Sequence, residues 1–291
     1  MKPFEQTLMN EVNAAHAPRH LLALCDQAML DDGQREAVNA RFERRTHALL
    51  QDPHWHALFP YSPLLLAAAE ASEAGHRDLL ESFAGEQDYL PHGWIVSAVP
   101  GDQLAAHLAQ ATVARGPHGD AFLLRYFDPV VLPVLYQHAD PHWWEAFMAP
   151  IASWWVPRAD TQVQRWGRIS GRALAQAAAL PDLLIDDTLW QALISDPLPH
   201  QLLQAIQEHA PSLFDTPCPG VRLARIEALL AAAREAGLTQ HDDLHDYVFL
   251  ALAQKASVLA SDRNWQHALR GAAAGTGRLG DLYLALSQRQ V

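Results

Sequence analysis

The sequence predicts a mixed α/β (α+β) fold: a largely parallel sheet flanked by helices, followed by an all-helical C-terminal lobe. Three observations carry this expectation. Short apolar runs alternate with amphipathic stretches through the first half, the pattern of strands joined by helical crossovers. Two stretches, near 112–127 and 154–166, pair apolar runs across a turn and read as hairpins, so one sheet edge is expected to be antiparallel. From about Ser170 strand signals stop and helical periodicity continues alone. The expected domains are an α/β domain over 1–168 and a helical lobe over 169–291.

Taken in order, Leu21–Asp26 is a short apolar strand, and Gln34–Leu50 places Ala37, Val38, Phe42, Ala48 and Leu49 on one helical face with Arg35, Arg41, Arg44 and Arg45 outward. Leu64–Ala68 is a second strand, and a helix around His76–Ala84 can stop at Gly85. Trp94–Ala98 is a third strand, after which Pro100-Gly101-Asp102 opens a helix running to about Ala111. Thr112–Ala114 and Ala121–Phe127 flank the turn Gly116–Gly119, while Trp154–Val156 and Val163–Trp166 flank Pro157–Thr161. Helices then follow near Asp187–Ile194, Pro199–His209, Val221–Ala236, Gln240–Ser257, Asp262–Ala272 and Leu279–Ser287.

Composition narrows the function. The 291 residues carry 21 Lys and Arg against 33 Asp and Glu, a net charge of −12, which argues against nucleic acid because phosphate contacts need clustered cations. Sixteen histidines make that charge sensitive to pH near 6.5, and solvated surface imidazoles are the simplest reading of them. Two cysteines, Cys25 and Cys218, suit a reducing compartment rather than a disulfide framework. The segment Met1–Gln6 has no apolar signal core, and no run approaches a membrane span, so a cytoplasmic protein without a membrane partner is expected.

The most informative stretch is Phe122-Leu123-Leu124-Arg125-Tyr126-Phe127-Asp128-Pro129-Val130-Val131-Leu132. It reads as a buried strand passing into a helix through Asp128-Pro129, where Asp can cap and Pro can fill the first turn. This stretch resembles the "FRFYDPR" hallmark of the effector chaperones, or adaptors, of bacterial type VI secretion systems (domain of unknown function 4123). His20–Ala28 looks like that family's opening "YALLDGA" strand, Leu58–Leu65 like the start of its second strand, and Leu104–Leu108 like its "LRRHL" helix. Ala236–Tyr247, with Asp262 and Trp265 beyond it, is similar to its "YGLTTEADIARY" segment. Val130 stands where the family has Arg, and Ala109-Gln110 replaces a basic pair, so any partner contact made by those basic residues differs here.

The resemblance implies a cytoplasmic adaptor that binds a secreted effector toxin and loads it onto the valine–glycine repeat spike protein, at that protein's C-terminal region, by non-covalent protein binding. It implies no enzyme activity, no cofactor, no catalytic residue and no metal.

Arg125 inside an apolar run needs a carboxylate, and a structural ion pair with Asp26 or Asp128 is the first reading, with partner recognition second. Asp26 and Asp128 each end a predicted strand, so the rival function is an α/β enzyme using these carboxylates on a phosphate-bearing substrate. Capping by Asp and by Pro129 explains them without catalysis. Trp143, Trp144, Trp154, Trp155 and Trp166 crowd one stretch; core packing is the first reading of most of them, and since one of each adjacent pair should be partly exposed, the group is also a candidate partner-binding surface. Gly275-Thr276-Gly277-Arg278-Leu279-Gly280 matches a dinucleotide fingerprint but follows a helix, and reads as an interhelical turn. His241 and His245, four apart, and the pair His54 and His56 have metal-ligand spacing without a third ligand; capping and surface polarity explain both.

Overall fold

The computed structural model describes residues 2–14, 17–83, 91–116, 118–158, 162, 165–176, 179–194, 196–216, 219–254 and 256–288. The expected helix stop at Gly85, the turn tips at Pro117 and Ala159–Thr161, and Cys218 lie outside these residues. The chain divides into two compact units: Met1–Arg158 with Trp166–Ser195, and Ala159–Arg165 with Asp196–Val291.

The first unit begins with α1 (Pro3–Asn13), which the sequence reading had not assigned. Its signals are local: Pro3 in the first turn, a capping-box Glu5 whose Oε2 accepts the Lys2 N–H at 2.7 Å, and Leu8, Met9 and Val12 on one buried stripe. Then come β1 (His20–Cys25), α2 (Asp32–Arg41), β2 (Thr46–Ala48), β3 (Leu64–Ala67), α3 (Glu73–Glu81), β4 (Gly93–Ser97) and α4 (Gly101–Ala109). The helix expected over Gln34–Leu50 is therefore half that length. Arg44 adopts φ 63, a left-handed conformation that ends helical hydrogen bonding, and the chain turns into β2. The unit continues with β5 (Val113–Arg115), β6 (Ala121–Leu123), α5 (Val131–His138), α6 (Pro141–Phe147), β7 (Ile151–Arg158), β8 (Arg165–Ser170), β9 (Leu183–Leu184) and α7 (Asp187–Leu193).

The main sheet has six strands in the order β2-β3-β1-β4-β7-β8, and it is antiparallel. The largely parallel sheet expected from sequence is thus incorrect, for a specific reason. β1 and β2 do run parallel with α2 between them, as do β3 and β4 with α3 between them. Each crossover, however, skips one position, and an antiparallel strand fills the gap: β3 in the first case, β1 in the second. Alternating strand and helix signals cannot distinguish adjacent from split crossovers. The apolar character misleads in the same direction, because β1 is buried on both faces. Leu22 and Leu24 face a core with Leu65, Ile95, Leu104, Tyr126, Phe147 and Trp154. Leu21, Ala23 and Cys25 face the other, with Leu8, Val38, Leu66, Leu79 and Val96.

The hairpin β5–β6 joins β9 in a separate three-stranded sheet, in which β9 pairs parallel to β5. It does not extend the main sheet's edge. Ile169, Leu183, Ile185 and Leu189, expected with the helical lobe, belong to the first unit's core.

Cys25 is fully buried, and burial with the neighbouring Asp26 charge pushes its thiol up to about 12. Native protein at pH 8 should therefore leave Cys25 unlabelled by iodoacetamide, while urea-unfolded protein reacts; peptide mapping of Cys25 checks this.

The second unit is α8 (Leu198–His209), α9 (Pro219–Glu235), α10 (His241–Gln254), α11 (Ala256–Ser261), α12 (Arg263–Ala273) and α13 (Leu279–Gln288), around Leu202, Ile206, Ile226, Leu230, Val248 and Trp265. Among the described residues no helix is long and apolar enough to cross a membrane.

Candidate functional site

β1 leaves the sheet at Asp26, a buried residue whose side chain is 6% exposed. Oδ1 accepts the Ala28 N–H at 3.1 Å and closes the 3-10 turn Gln27–Met29. Oδ2 accepts Arg125 Nη2 at 2.9 Å, joining segments 99 residues apart. Of the two partners open to Arg125, Asp26 is the one used. The guanidinium itself is not enclosed in a strand as expected. β6 stops at Leu123, the following turns point Leu124, Tyr126 and Phe127 inward, and Arg125 stays 45% exposed over the Phe127 ring, 5.6 Å from its centroid.

His92 completes the corner. Its N–H donates to the Leu24 carbonyl at 2.8 Å just before β4 begins, and its Nδ1 accepts the Asp26 N–H at 3.0 Å. The proton of the neutral ring is therefore on Nε2. Burial lowers the His92 pKa, against the opposing pull of Asp26 and Asp128. Gly93 fits closely beside it, where a Cβ would lie 3.2 Å from Trp154 Nε1 and 3.4 Å from the Trp155 carbonyl oxygen and would press those groups back by a few tenths of an ångström. Asp128 Oδ1 accepts the Val130 N–H at 2.8 Å, so Asp128-Pro129 forms a turn and α5 starts two residues later than the cap-and-first-turn reading expects.

An apolar surface borders this corner. The 3-10 run Pro53–Tyr61 contains no buried residue, and Leu58, Phe59 and Tyr61 are exposed. It leads into β3 at Leu64, the residue opposite Cys25, so it lies at the same end of the sheet as Asp26. Arg35 ties the two together: its Nη1 donates to the Gln27 carbonyl at 3.2 Å, and its guanidinium carbon sits 5.2 Å from the Tyr61 centroid. Met29, on the turn after Asp26, is 55% exposed. Sequence reasoning missed His92 and this surface. The available signal was a strongly apolar run bracketed by Asp52-Pro53 and Pro60, with no period that would bury it.

The five tryptophans pack within the first unit. Trp143 and Trp154 are buried, at 2% and 0% exposure, and Trp143 stacks on Phe147 at 4.8 Å. Trp144 is half-buried against Tyr136 and Phe147. Trp155 and Trp166 are half-buried against Phe4 of α1, and Trp155 Nε1 donates to Glu11 at 3.2 Å. In each adjacent pair one ring is core and its neighbour lies at the rim.

In the second unit the glycine-rich segment is a turn between α12 and α13, with Gly275 at φ 71. The acids near His241 and His245 serve that turn: Asp243 accepts the Leu279 N–H at 2.8 Å, and Asp246 receives Arg278 in a two-pronged pair at 2.7 Å each. His56 Nδ1 lies 3.2 Å from the Pro53 carbonyl. Among the described residues no three His, Cys, Asp or Glu side chains are placed to hold a metal ion.

Asp26→Asn keeps the side chain's size but removes the charge that holds Arg125. It should lower unfolding free energy by about 1–3 kcal/mol, read as a shifted urea midpoint.

The fold and this corner define a two-unit α/β protein whose first unit is a helix-covered antiparallel sheet. Residues 21–146 match the model of a family described as a domain of unknown function, DUF4123. No curated protein and no solved structure matches the chain.

Proposed function

We propose that the protein is an adaptor, or chaperone, that binds a type VI secretion effector and loads it onto the spike protein, acting in the cytoplasm by non-covalent protein binding. The observation that carries this reading is the exposed apolar run Leu58–Tyr61 and Met29 beside the Asp26–Arg125 corner. Contiguous exposed apolar surface is a feature of interaction sites, and this one adjoins the point where the opening strand and the Arg125 motif meet. Those are two of the segments on which the family resemblance rests, and both fall within the matched residues.

Copurification tests it. Co-expressed with an effector and the C-terminal region of a spike protein from the same cell, the chain should emerge in a stoichiometric complex. Phe59→Glu should weaken capture at least tenfold, about 1.4 kcal/mol, with an unchanged melting temperature. Purified protein that holds neither partner would sink the reading.

A second reading, an α/β enzyme using Asp26 and Asp128 on a phosphate-bearing substrate, is favoured by the neutral imidazole of His92 next to both carboxylates. It requires a melting shift with nucleotides or Mg²⁺ that His92→Gln abolishes. The adaptor requires neither.

A further inference from the structure

The opposite end of the sheet carries a second polar cluster. β3 and β4 both finish there, β1 starts between them, and α3 and α4 begin directly afterwards. Helix N-termini present unpaired N–H groups that attract anions. α3 satisfies one of its own, because Ser72 Oγ accepts the Gly75 N–H at 3.2 Å. α4 has Pro100 at its N-cap, and no side chain caps it.

Between these helix starts is a cavity of about 30 Å³, lined by His20, Ala67, Glu70, His76 and Gly101 among others. A water needs about 10–15 Å³ by this measure, so the space takes roughly two oxygen-sized atoms. His76 is 2% exposed, and its Nδ1 has no hydrogen-bond partner among the described residues. A buried imidazole nitrogen left in that condition destabilises the fold and calls for a partner. Gly101 is packed closely at the wall of this space, where a Cβ would lie 2.8 Å from His47 Cδ2 and 2.9 Å from Leu22 Cδ2, so only glycine fits there without a shift of those side chains.

We propose that this cavity binds a small oxyanion, held by the uncapped N–H groups of α4 and by a His76 ring that takes up a proton as the anion enters. The inference is independent of the adaptor function. The titratable groups around the site are His20 from β1, His47 from β2, Glu70 from the β3–α3 connection, His76 from α3 and Asp102 from α4. Burial lowers the pKa of all three histidines, so they are neutral at pH 7. An arriving oxyanion supplies the opposite charge that an imidazolium needs, which couples binding to proton uptake. Asp102 pulls the same way on His20 and His47. Glu70 and Asp102 oppose the anion directly, so affinity depends on that proton.

Formate and acetate are the probes, titrated into the whole protein at pH 6 and pH 8 with ionic strength held by sodium chloride. Both keep their charge over this range, so any pH dependence belongs to the protein. One linked proton weakens binding by up to about tenfold per pH unit. NMR of the wild-type histidine ring protons should show the His76 pKa rising with formate, with acetate or with both; the arm that responds tells whether the space admits the two-oxygen head alone or a methyl group besides. His76→Phe should abolish binding while leaving the melting temperature unchanged or higher, because the unpaired nitrogen is gone. A purely structural histidine would instead lower it. A His76 resonance that moves with neither anion, or moves equally with chloride alone, overturns the proposal.

Discussion

Trp154→Ala should lower the unfolding free energy by about 3–5 kcal/mol, read from urea unfolding with the slope compared between variants. The ring is fully buried and forms part of an aromatic group in which its centroid lies 6.0 Å from Phe147 and 6.2 Å from Tyr126. Tyr126, at 0% exposure, anchors this group by donating from its hydroxyl to the Leu108 carbonyl at 2.9 Å. Truncation at 154 opens a void that the surrounding rings cannot close by rotamer changes alone. Trp144→Ala should cost less than half as much, since that ring covers the rim rather than the interior. It is therefore the tryptophan variant that can report on partner capture without confounding it with folding. Equal losses at the two positions would contradict this division of roles.

Mild acid should destabilise the protein well above the pH at which carboxylates titrate. His20, His47, His76 and His92 all have pKa values lowered by burial, and all four lie in the first unit. In the unfolded chain they titrate near 6.5. Above that value neither state holds the extra protons, and stability is at its full level. As pH falls below 6.5 the unfolded chain binds protons that the folded one refuses, so stability drops until the lower folded values are reached. In the second unit Asp196 and Asp262 have lowered pKa values, chiefly from the Leu198 N–H and the Tyr283 hydroxyl respectively, so their contribution is lost only below about 4. Urea midpoints at pH 7.5, 6.5 and 5.5 should decline from the second to the third. A flat profile over that range would show that the four imidazoles are not held neutral by the fold.

The helical half of the chain was legible because its signals are local. Asp262 caps α12 as its position suggests, and α8, α9, α10, α12 and α13 begin and end close to where periodicity places them, whereas α11 (Ala256–Ser261) was not separated from the helix expected over Gln240–Ser257. Strands β1, β3 and β4 were legible as apolar runs, but their directions were not, since direction depends on which strand fills the gap left by a crossover. β2 was lost inside an apparent helix because nothing before Arg44 announces its left-handed turn. In the candidate site the Arg125–Asp26 pair could be named as an option, since a cation in an apolar run demands an acid. His92 could not, because its role comes from main-chain pairing that brings residue 92 beside residue 26. The exposed run Pro53–Tyr61 could not either: an apolar sequence looks like core until its neighbours are known.

The central place of β1 has a consequence during synthesis. This strand leaves the ribosome before either of its hydrogen-bonding neighbours, which end at Ala67 and Ser97. At roughly 5–20 residues per second, a nascent chain waits about 4–14 seconds between completing Cys25 and completing β4. Both edges of this greasy ribbon are bare until β3 is made and one remains bare until β4 follows, available to any other extended segment, so yield in a foreign host should respond to translation speed and to holdase chaperones more than to the strength of the finished fold.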